Sequence, residues 1–534
     1  MKKYLRTAAS ALLATALLAA CASPGGGTTT ATPSPPPPGG TTNQATTDPT
    51  PPPDGGFDPA SFPPAPADYT INILTVSHTG DIIPGNHPAI LQLQEHTGYN
   101  INLEFVLNAN YEEMMNTRFA AGNLPGIVVI TGNTLPIVTA AQSGAFWDIT
   151  DKFPLYSNLA GANPAIMNNI SIDGRNFGIY RQRIVGRGGM VYRSDWLEYL
   201  GLEEPQTIDD LYNVLQAFTT QNPQPNGGTT FGMNWSVFMG PFHNLAVMHG
   251  APNRWEVVNG EFIPWFEHEG FYEAMQFSRR LFESNVINQD FAALPTGEWA
   301  LPFGTGRAGW HIDVADEANR SANRLRDNGF MSQEEVDAGD KVWVMGPVAN
   351  RHGERRAMAT PGHAGYVAIS TTGARTLQDL HYHLDFLNML NDPIGQNIVS
   401  WGAEDINWEM RGDNVFVFPA GDIADGWHVI EGLNQFMMRQ NYVTPVARNP
   451  RQDRQEAVFL ENLAIAIHDP TLPFRSETWT ARSASLNEII DDAVSNYIMG
   501  NIDRAGFDSE VSRWYNEGGS AAIAEFNAAW AAVQ

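Results

Sequence analysis

Four stretches of the chain set an indole ring among groups that exchange hydrogen bonds. Asn234-Trp235-Ser236 follows a glycine-rich loop, and Gly309-Trp310-His311-Ile312-Asp313 joins an aromatic face to an imidazole and a carboxylate. Trp401-Gly402-Ala403-Glu404-Asp405 and Gly426-Trp427-His428 repeat the pattern. A flat indole covers apolar C–H faces, while planar amides, carboxylates and guanidiniums meet hydroxyls, so these stretches suit a neutral, polyhydroxylated guest. Each tryptophan has an alternative place in a core or between lobes, and one or two of the four are expected to touch ligand. Asn234, Trp235, Trp310, His311, Asp313, Trp401 and Asp405 are the candidates of this kind. Arg181 and Arg183 add two guanidiniums two residues apart. They are either halves of ion pairs in an acidic protein or bidentate donors to hydroxyls or a uronic carboxylate.

Patterns for catalysis are poor by comparison. The chain has no Gly-x-Ser-x-Gly elbow, no His-Glu-x-x-His and no Gly-Lys-Ser/Thr phosphate loop. Its Gly304-Thr305-Gly306-Arg307-Ala308-Gly309 has the dinucleotide-binding spacing, but Pro302 before it and the alternating Trp310 to Val314 after it do not give strand, turn and helix. His381 and His383 fall two apart on an expected helix and cannot share its face. A carboxylate dyad that cleaves glycans stays open among the 58 acids, because folding and not spacing sets separations of ~5 to 10 Å. The reading is a binding protein and not an enzyme, with no catalytic residue, cofactor or metal site.

The elements that would position these groups begin at Tyr69. Tyr69 to Val76 reads as a strand, a helix runs from Pro88 to Gly98, and Asn100 to Val106 alternates as a second strand. Tyr111 to Ala121 is helical with Gly122 as its stop, and Ile127-Val128-Val129-Ile130 is an apolar run suited to a buried parallel strand. This β-α-β-α-β order predicts a doubly wound α/β lobe with ligands beyond the carboxyl ends of its strands. Those ends carry Ser77, His78, Asn108, Asn110, Thr131 and Asn133, of which Thr131 and Asn133 are the preferred candidates; all of them have a second use as helix caps. Further on, helices are expected at 196–200, 208–218, 272–282, 377–390, 453–467, 485–499 and 520–533.

The chain has 534 residues, enough for about three domain-sized units or two large lobes. It holds 31 Lys and Arg against 58 Asp and Glu, a formal charge of -27, which repels nucleic acid. After residue 20 no apolar run spans a bilayer. Cys21 is the single cysteine, so an intramolecular disulfide framework is excluded. Lys2-Lys3, the apolar stretch Ala8 to Leu18 and Leu18-Ala19-Ala20-Cys21 form a signal peptide over residues 1–20, and the last four residues resemble the bacterial lipobox, whose cysteine is lipidated. The alternative is a generic signal with an incidental cysteine. Residues 21–68, rich in Pro, Thr and Gly, are expected to be a disordered tether reaching at most roughly 145 Å. The membrane is thus approached only through the lipid anchor.

The segment order from Tyr69 to Gln534 resembles extracellular solute-binding proteins of family 1, above all the long lipoproteins of Gram-positive bacteria that deliver saccharides to ABC importers. Phe119-Ala120-Ala121-Gly122-Asn123-Leu124-Pro125-Gly126-Ile127-Val128 is similar to the family's helix, turn and strand, with Asn123 and Gly126 in place of two acids. Asp173-Gly174-Arg175-Asn176-Phe177-Gly178-Ile179-Tyr180 resembles the strand leaving the first lobe. Met190 to Leu197 with Leu200 to Thr207, Phe303 to Gly309, and Asn391 to Gln396 with Trp401-Gly402 continue the match. The resemblance implies a periplasmic-binding-protein-like fold of two α/β lobes joined by a hinge, with the cleft between them. It implies a first lobe at 69–180 plus about 342–400 and a second at about 181–341 plus 401–534. It further implies a monomer on the extracellular face of the cytoplasmic membrane that takes a small-molecule carbohydrate and docks on an ABC permease. A surface glycan-binding or sensory lipoprotein, peptide cargo, and a glycan-cleaving lipoprotein are the alternatives. Some members of the resembled family carry a calcium loop after the helix that follows Thr207, expected here at 208–218; here Gln221 to Thr230 offers no carboxylate, so a calcium site there is expected to be lost.

Overall fold

The structure is a computed structural model that describes residues 56–77, 85–223, 228–417, 433–436 and 448–532. Cys21, His78, Trp427, His428, residues 224–227 and the expected tether up to residue 55 lie outside the described residues.

The first sheet contains β1 (Thr70–Ser77), β2 (Asn100–Leu107), β3 (Ile127–Ile130), β4 (Gly178–Gln182) and β12 (His363–Ile369), in the order β2-β1-β3-β12-β4. β1 pairs in parallel with β2 and β3, and β12 is antiparallel to β3 and β4. The crossovers are α1 (Pro88–Thr97) and α2 (Asn108–Ala121). Both stop at a glycine in the left-handed region, Gly98 at φ 73° and Gly122 at φ 59°, where a Cβ would be strained. All four residues of β3 are buried, as a strand covered by helices on both faces requires.

The second sheet contains β5 (Gly188–Arg193), β6 (Phe231–Met233), β9 (Ala308–Val314) and β10 (Val342–Met345), in the order β10-β5-β9-β6. Three two-stranded pairs complete the set: β7 (Trp255–Val258) with β8 (Glu261–Pro264), β11 (Ala357–Met358) with β15 (Ala466–Ile467), and β13 (Trp408–Arg411) with β14 (Asn414–Val417). Each large sheet has its own core. Ile73, Val128, Ile179, Val367 and Leu384 belong to the first. Trp196, Leu215, Trp235, Trp310 and Val494 cover one face of the second sheet, and Val191, Phe303, Leu325, Val344 and Val458 cover the other.

Two segments differ from the expected lobe limits. β10, expected with the first lobe, pairs with β5, because Val342 and Val344 bury against Val191. Ala403, Leu433 and Phe436, expected with the second, lie in the first core. A short apolar strand declares its burial in sequence but not which sheet it joins. Residues 57–65, expected within the tether, are packed against the first core. Phe57 and Ala65 pack on the first core, and the Phe62 ring stacks on His381 at 5.0 Å and 18°. Tyr382 donates to Pro64 O at 3.4 Å. Two phenylalanines in a proline-rich segment suffice to lay it on helix Leu377–Leu390.

Two connections between the sheets are paired with each other. Arg183 N donates to Gly362 O and Thr360 N to Val185 O, each at 2.9 Å. From helix Pro450–Ala464, buried Asn462 gives its amide hydrogens to Gly186 O at 3.1 Å and Gly188 O at 2.6 Å.

Candidate functional site

β1, β2 and β3 run the same way, so their carboxyl ends share one edge of the first sheet. β4 ends and β12 begins at that edge, because β12 is antiparallel to β3 and β4. The chain leaves this edge at residue 183 and enters β5 at Gly188. Gly188 pairs with Val314, so the carboxyl ends of β9 and its parallel neighbour β6 lie on the crossing side of the second sheet. Loops that follow parallel strands thus gather on both sides of one short crossing, where open α/β sheets hold ligands.

On the first sheet, Thr131, Asn108 and Asn110 are exposed, the two asparagines in the first turn of α2. Asn133 is half-buried and committed: its amide donates to Ile170 O at 3.3 Å and accepts from Tyr366 OH at 3.0 Å. Ser77 is buried. Arg181 is 8% exposed and donates to Ala364 O at 2.7 Å and to Gln435 Oε1. Burial pushes its guanidinium down to about 10, with Tyr111 opposing and Arg183 adding to the shift, so it stays charged at neutral pH. Arg183 is exposed.

On the second sheet the expected residues divide. Asp313 is half-buried, and burial, reinforced by Glu317, pushes its carboxyl up to about 6. Trp235 and Trp310 are wholly buried; Trp310 stacks on Tyr192 at 4.6 Å and 15°, and Trp235 lies 6.1 Å from Phe291. Their faces are taken by the core, which is the packing alternative. Asn234 is likewise buried and donates to Trp299 O at 2.7 Å. His311 is sandwiched between Phe303 at 4.6 Å and Trp299 at 4.9 Å, and burial pushes its imidazole down to about 4. These four support the edge from beneath. Trp401 is half-buried at the end of helix Pro393–Trp401 and Asp405 is exposed, both on the first-core body beside α1, where Gln92 exchanges hydrogen bonds with the Glu404 backbone.

Three residues at these edges escaped the sequence reading. Trp299 is half-buried and Phe238 is 39% exposed, both beside the carboxyl end of β6. A glycine close to each, Gly297 and Gly240, was the available signal. His363 opens β12; its Nδ1 accepts from Gly365 N at 3.1 Å, and burial pushes its imidazole down to about 4, with Arg183 adding to the shift. A hollow of about 370 Å³ lies elsewhere, at the amino edge of the first sheet, among Asn72, Asn102, Arg118, Asn123 and Arg375, and holds none of the expected residues.

A profile of the bacterial extracellular solute-binding proteins matches residues 88–309. The chain is 30% identical over 467 residues to lipoprotein LipO of Bacillus subtilis, a match covering 86% of this chain and 91% of that one. It is 29% identical to the polygalacturonan/rhamnogalacturonan-binding protein YtcQ of the same organism, covering 84% and 89%. Among solved structures it is similar in fold to an HMO-binding, ABC-transporter-associated solute-binding protein from Bifidobacterium longum infantis, with TM-score 0.65, 15% identity and coverage of 87% and 98%. With two α/β sheet bodies, a paired crossing and relatives matching along most of its length, the chain belongs to the bacterial extracellular solute-binding proteins, family 1.

Proposed function

We propose that this chain is a lipid-anchored extracellular receptor that captures a carbohydrate between two α/β lobes and hands it to an ABC transporter permease without covalent change. The observation that carries the reading is the convergence of two strand-end edges on one short crossing. One edge offers guanidiniums at Arg181 and Arg183, an amide at Asn108 and a hydroxyl at Thr131; the other offers a carboxylate at Asp313 and partly open rings at Trp299 and Phe238. The relatives' names, a polygalacturonan/rhamnogalacturonan-binding protein and an ABC-transporter-associated one, support this cargo and partner, and LipO supports the anchor at Cys21. In this reading lobe 1 takes about 69–182 plus 363–436, and lobe 2 about 183–358 plus 448–532. A sugar touching both lobes stabilises the closed form through its differential contacts, with the paired crossings as hinge. The receptor works as a monomer.

The test titrates the chain carrying Cys21→Ser with an oligosaccharide panel by calorimetry and follows its radius of gyration by small-angle scattering. At least one sugar should bind and compact the protein. Binding without compaction defeats the closure mechanism, and no binding across the panel defeats the carbohydrate cargo.

A further inference from the structure

One ion pair joins the two lobes away from their paired crossing. Of the ion pairs between described residues, only that of Arg475 with Asp173 reaches from one lobe to the other: Arg475 Nη1 donates to Oδ1 at 3.0 Å and to Oδ2 at 3.3 Å. Asp173 belongs to the first lobe, where its neighbour Ile172 is buried in the first core, and Arg475 to the second, where its neighbour Phe474 packs on a core of the second sheet. Both side chains are presented by built turns. Ile172 and Arg175 exchange backbone hydrogen bonds of 2.9 and 3.0 Å, and between them Asp173 at φ 51° and Gly174 at φ 75° both stand in the left-handed region. That conformation is uncommon for a residue with a Cβ, and an aspartate tolerates it better than most. Gln142 Nε2 donates to Asp173 Oδ2 at 2.8 Å, and this bond, with burial opposing it and Arg475 adding to it, holds the carboxyl below its usual range. Arg475 stands just before Ser476, whose hydroxyl accepts from Trp479 N at 2.9 Å to open helix Glu477–Ile498.

The pair stands behind the cleft edge. Helix Leu135–Gln142 leaves the carboxyl edge of the first sheet after β3, and Gln142, which steadies Asp173, is its last residue. Shortly beyond it, Trp147 N donates to Ile369 O at the opposite edge of the sheet. Asn108 and Thr131, offered to cargo, lie at the edge this helix leaves. Closure swings the carboxyl edges of the two sheets toward each other about the crossing, so contacts behind those edges part as contacts in front of them form. We infer that Asp173 and Arg475 form a latch that holds the lobes open, and that capture of a sugar breaks it. Contacts of the sugar with both edges then work against this pair, and the pair sets how much of the unliganded receptor is closed. Neither side chain needs to touch cargo, because apparent affinity falls in proportion to the fraction of receptor competent to hold it. With 28% of the Arg475 side chain and 45% of the Asp173 side chain exposed, the pair is worth a factor of about two to five in this equilibrium. This inference rests on the closure in the carbohydrate-capture reading and adds its regulation.

The experiment follows the full chain carrying Cys21→Ser by single-molecule energy transfer, with dyes on Glu113→Cys in α2 and Glu298→Cys beside the carboxyl end of β6, both exposed positions. Without sugar, the closed population should rise about two- to fivefold in Asp173→Asn and in Arg475→Gln, rise no further when the two are combined, and rise less in Arg475→Lys, which keeps the charge. Asparagine suits the left-handed position, and thermal melts check that each variant folds. Maltotriose, raffinose and trigalacturonate are then titrated by calorimetry, and whichever binds the parent should bind Asp173→Asn about two- to fivefold more tightly. Closed populations unchanged in both single variants overturn the latch, whether or not a sugar binds. A smaller closed population shows that the pair holds the lobes shut and overturns the assignment. Effects that add in the double variant show two separate contacts and overturn the pairing. A larger closed population with unchanged sugar affinity overturns the role of the latch in capture. A larger closed population with no sugar bound leaves the latch standing and puts the failure on carbohydrate capture.

Discussion

Asn462 is the test of how the crossing is held. It is 1% exposed, and its amide donates to Gly186 O at 3.1 Å and to Gly188 O at 2.6 Å, one carbonyl in the crossing and one in the first residue of β5. Asn462→Ala removes two hydrogen bonds of about 1 kcal/mol net each and leaves two carbonyls under a small cavity without donors, so the loss should be about 3 kcal/mol. Asn462→Asp has nearly the same shape but turns a donor pair into a carboxylate facing two carbonyl oxygens. It should cost more than Ala at pH 7, by roughly 1 kcal/mol or more, and part of that excess should return at pH 5, where a protonated carboxyl donates once. Urea unfolding followed by fluorescence of the buried second-core tryptophans reads the loss as a lower midpoint. An Asn462→Ala variant within about 0.5 kcal/mol of the parent, or an Asp variant milder than Ala, would show that this amide does not hold the crossing.

Other expectations follow from single sites. The Asp313 carboxyl is raised to about 6 from an ordinary 3.8, so the native state holds its proton more tightly than the unfolded chain, and its presence costs stability increasingly as pH climbs from about 4 through 6. Asp313→Asn should therefore be neutral at pH 4 and stabilising by about 2 kcal/mol at pH 8 in thermal unfolding, and an equal effect at both pH values would contradict it. Trp299→Ala should weaken sugar binding about tenfold by calorimetry, as loss of a stacking face does, whereas unchanged affinity would remove Trp299 from the cleft wall. Gly365 has φ 90° and an added Cβ would stand 1.9 Å from Ile130 O, so Gly365→Ala should cost over ~3 kcal/mol in urea unfolding, and a near-neutral result would mean that β12 can move off β3.

Much of the architecture is a local property of the chain. The capped helices and the buried β3 follow from periodicity, Pro88 and Gly98 at the ends of α1, and an unbroken Ile-Val-Val-Ile run, none of which needs distant residues. The helices expected at 208–218 and 377–390 stand at Ile208–Thr220 and Leu377–Leu390, each opened by a threonine capping box. The collinear turn motifs carried the family for the same reason.

What tertiary structure decided is which side chains remain reachable. Trp235 and Trp310 have the same polar, glycine-flanked neighbours that made them candidates, yet Trp310 in β9 and Trp235, two residues past β6, both point into the core on one face of the second sheet, and burial of an indole gains more than its exposure. β10 could not be assigned to its sheet from its own four residues, because pairing partners are set by contacts over 100 residues away. The partners of Arg181 were equally hidden: the sequence offers 58 carboxylates, and only folding reveals that among the described residues its guanidinium is met by the neutral oxygens of Ala364 and Gln435. Local spacing fixes periodic elements because their hydrogen bonds are local, whereas charge pairing and solvent access depend on the whole three-dimensional surround.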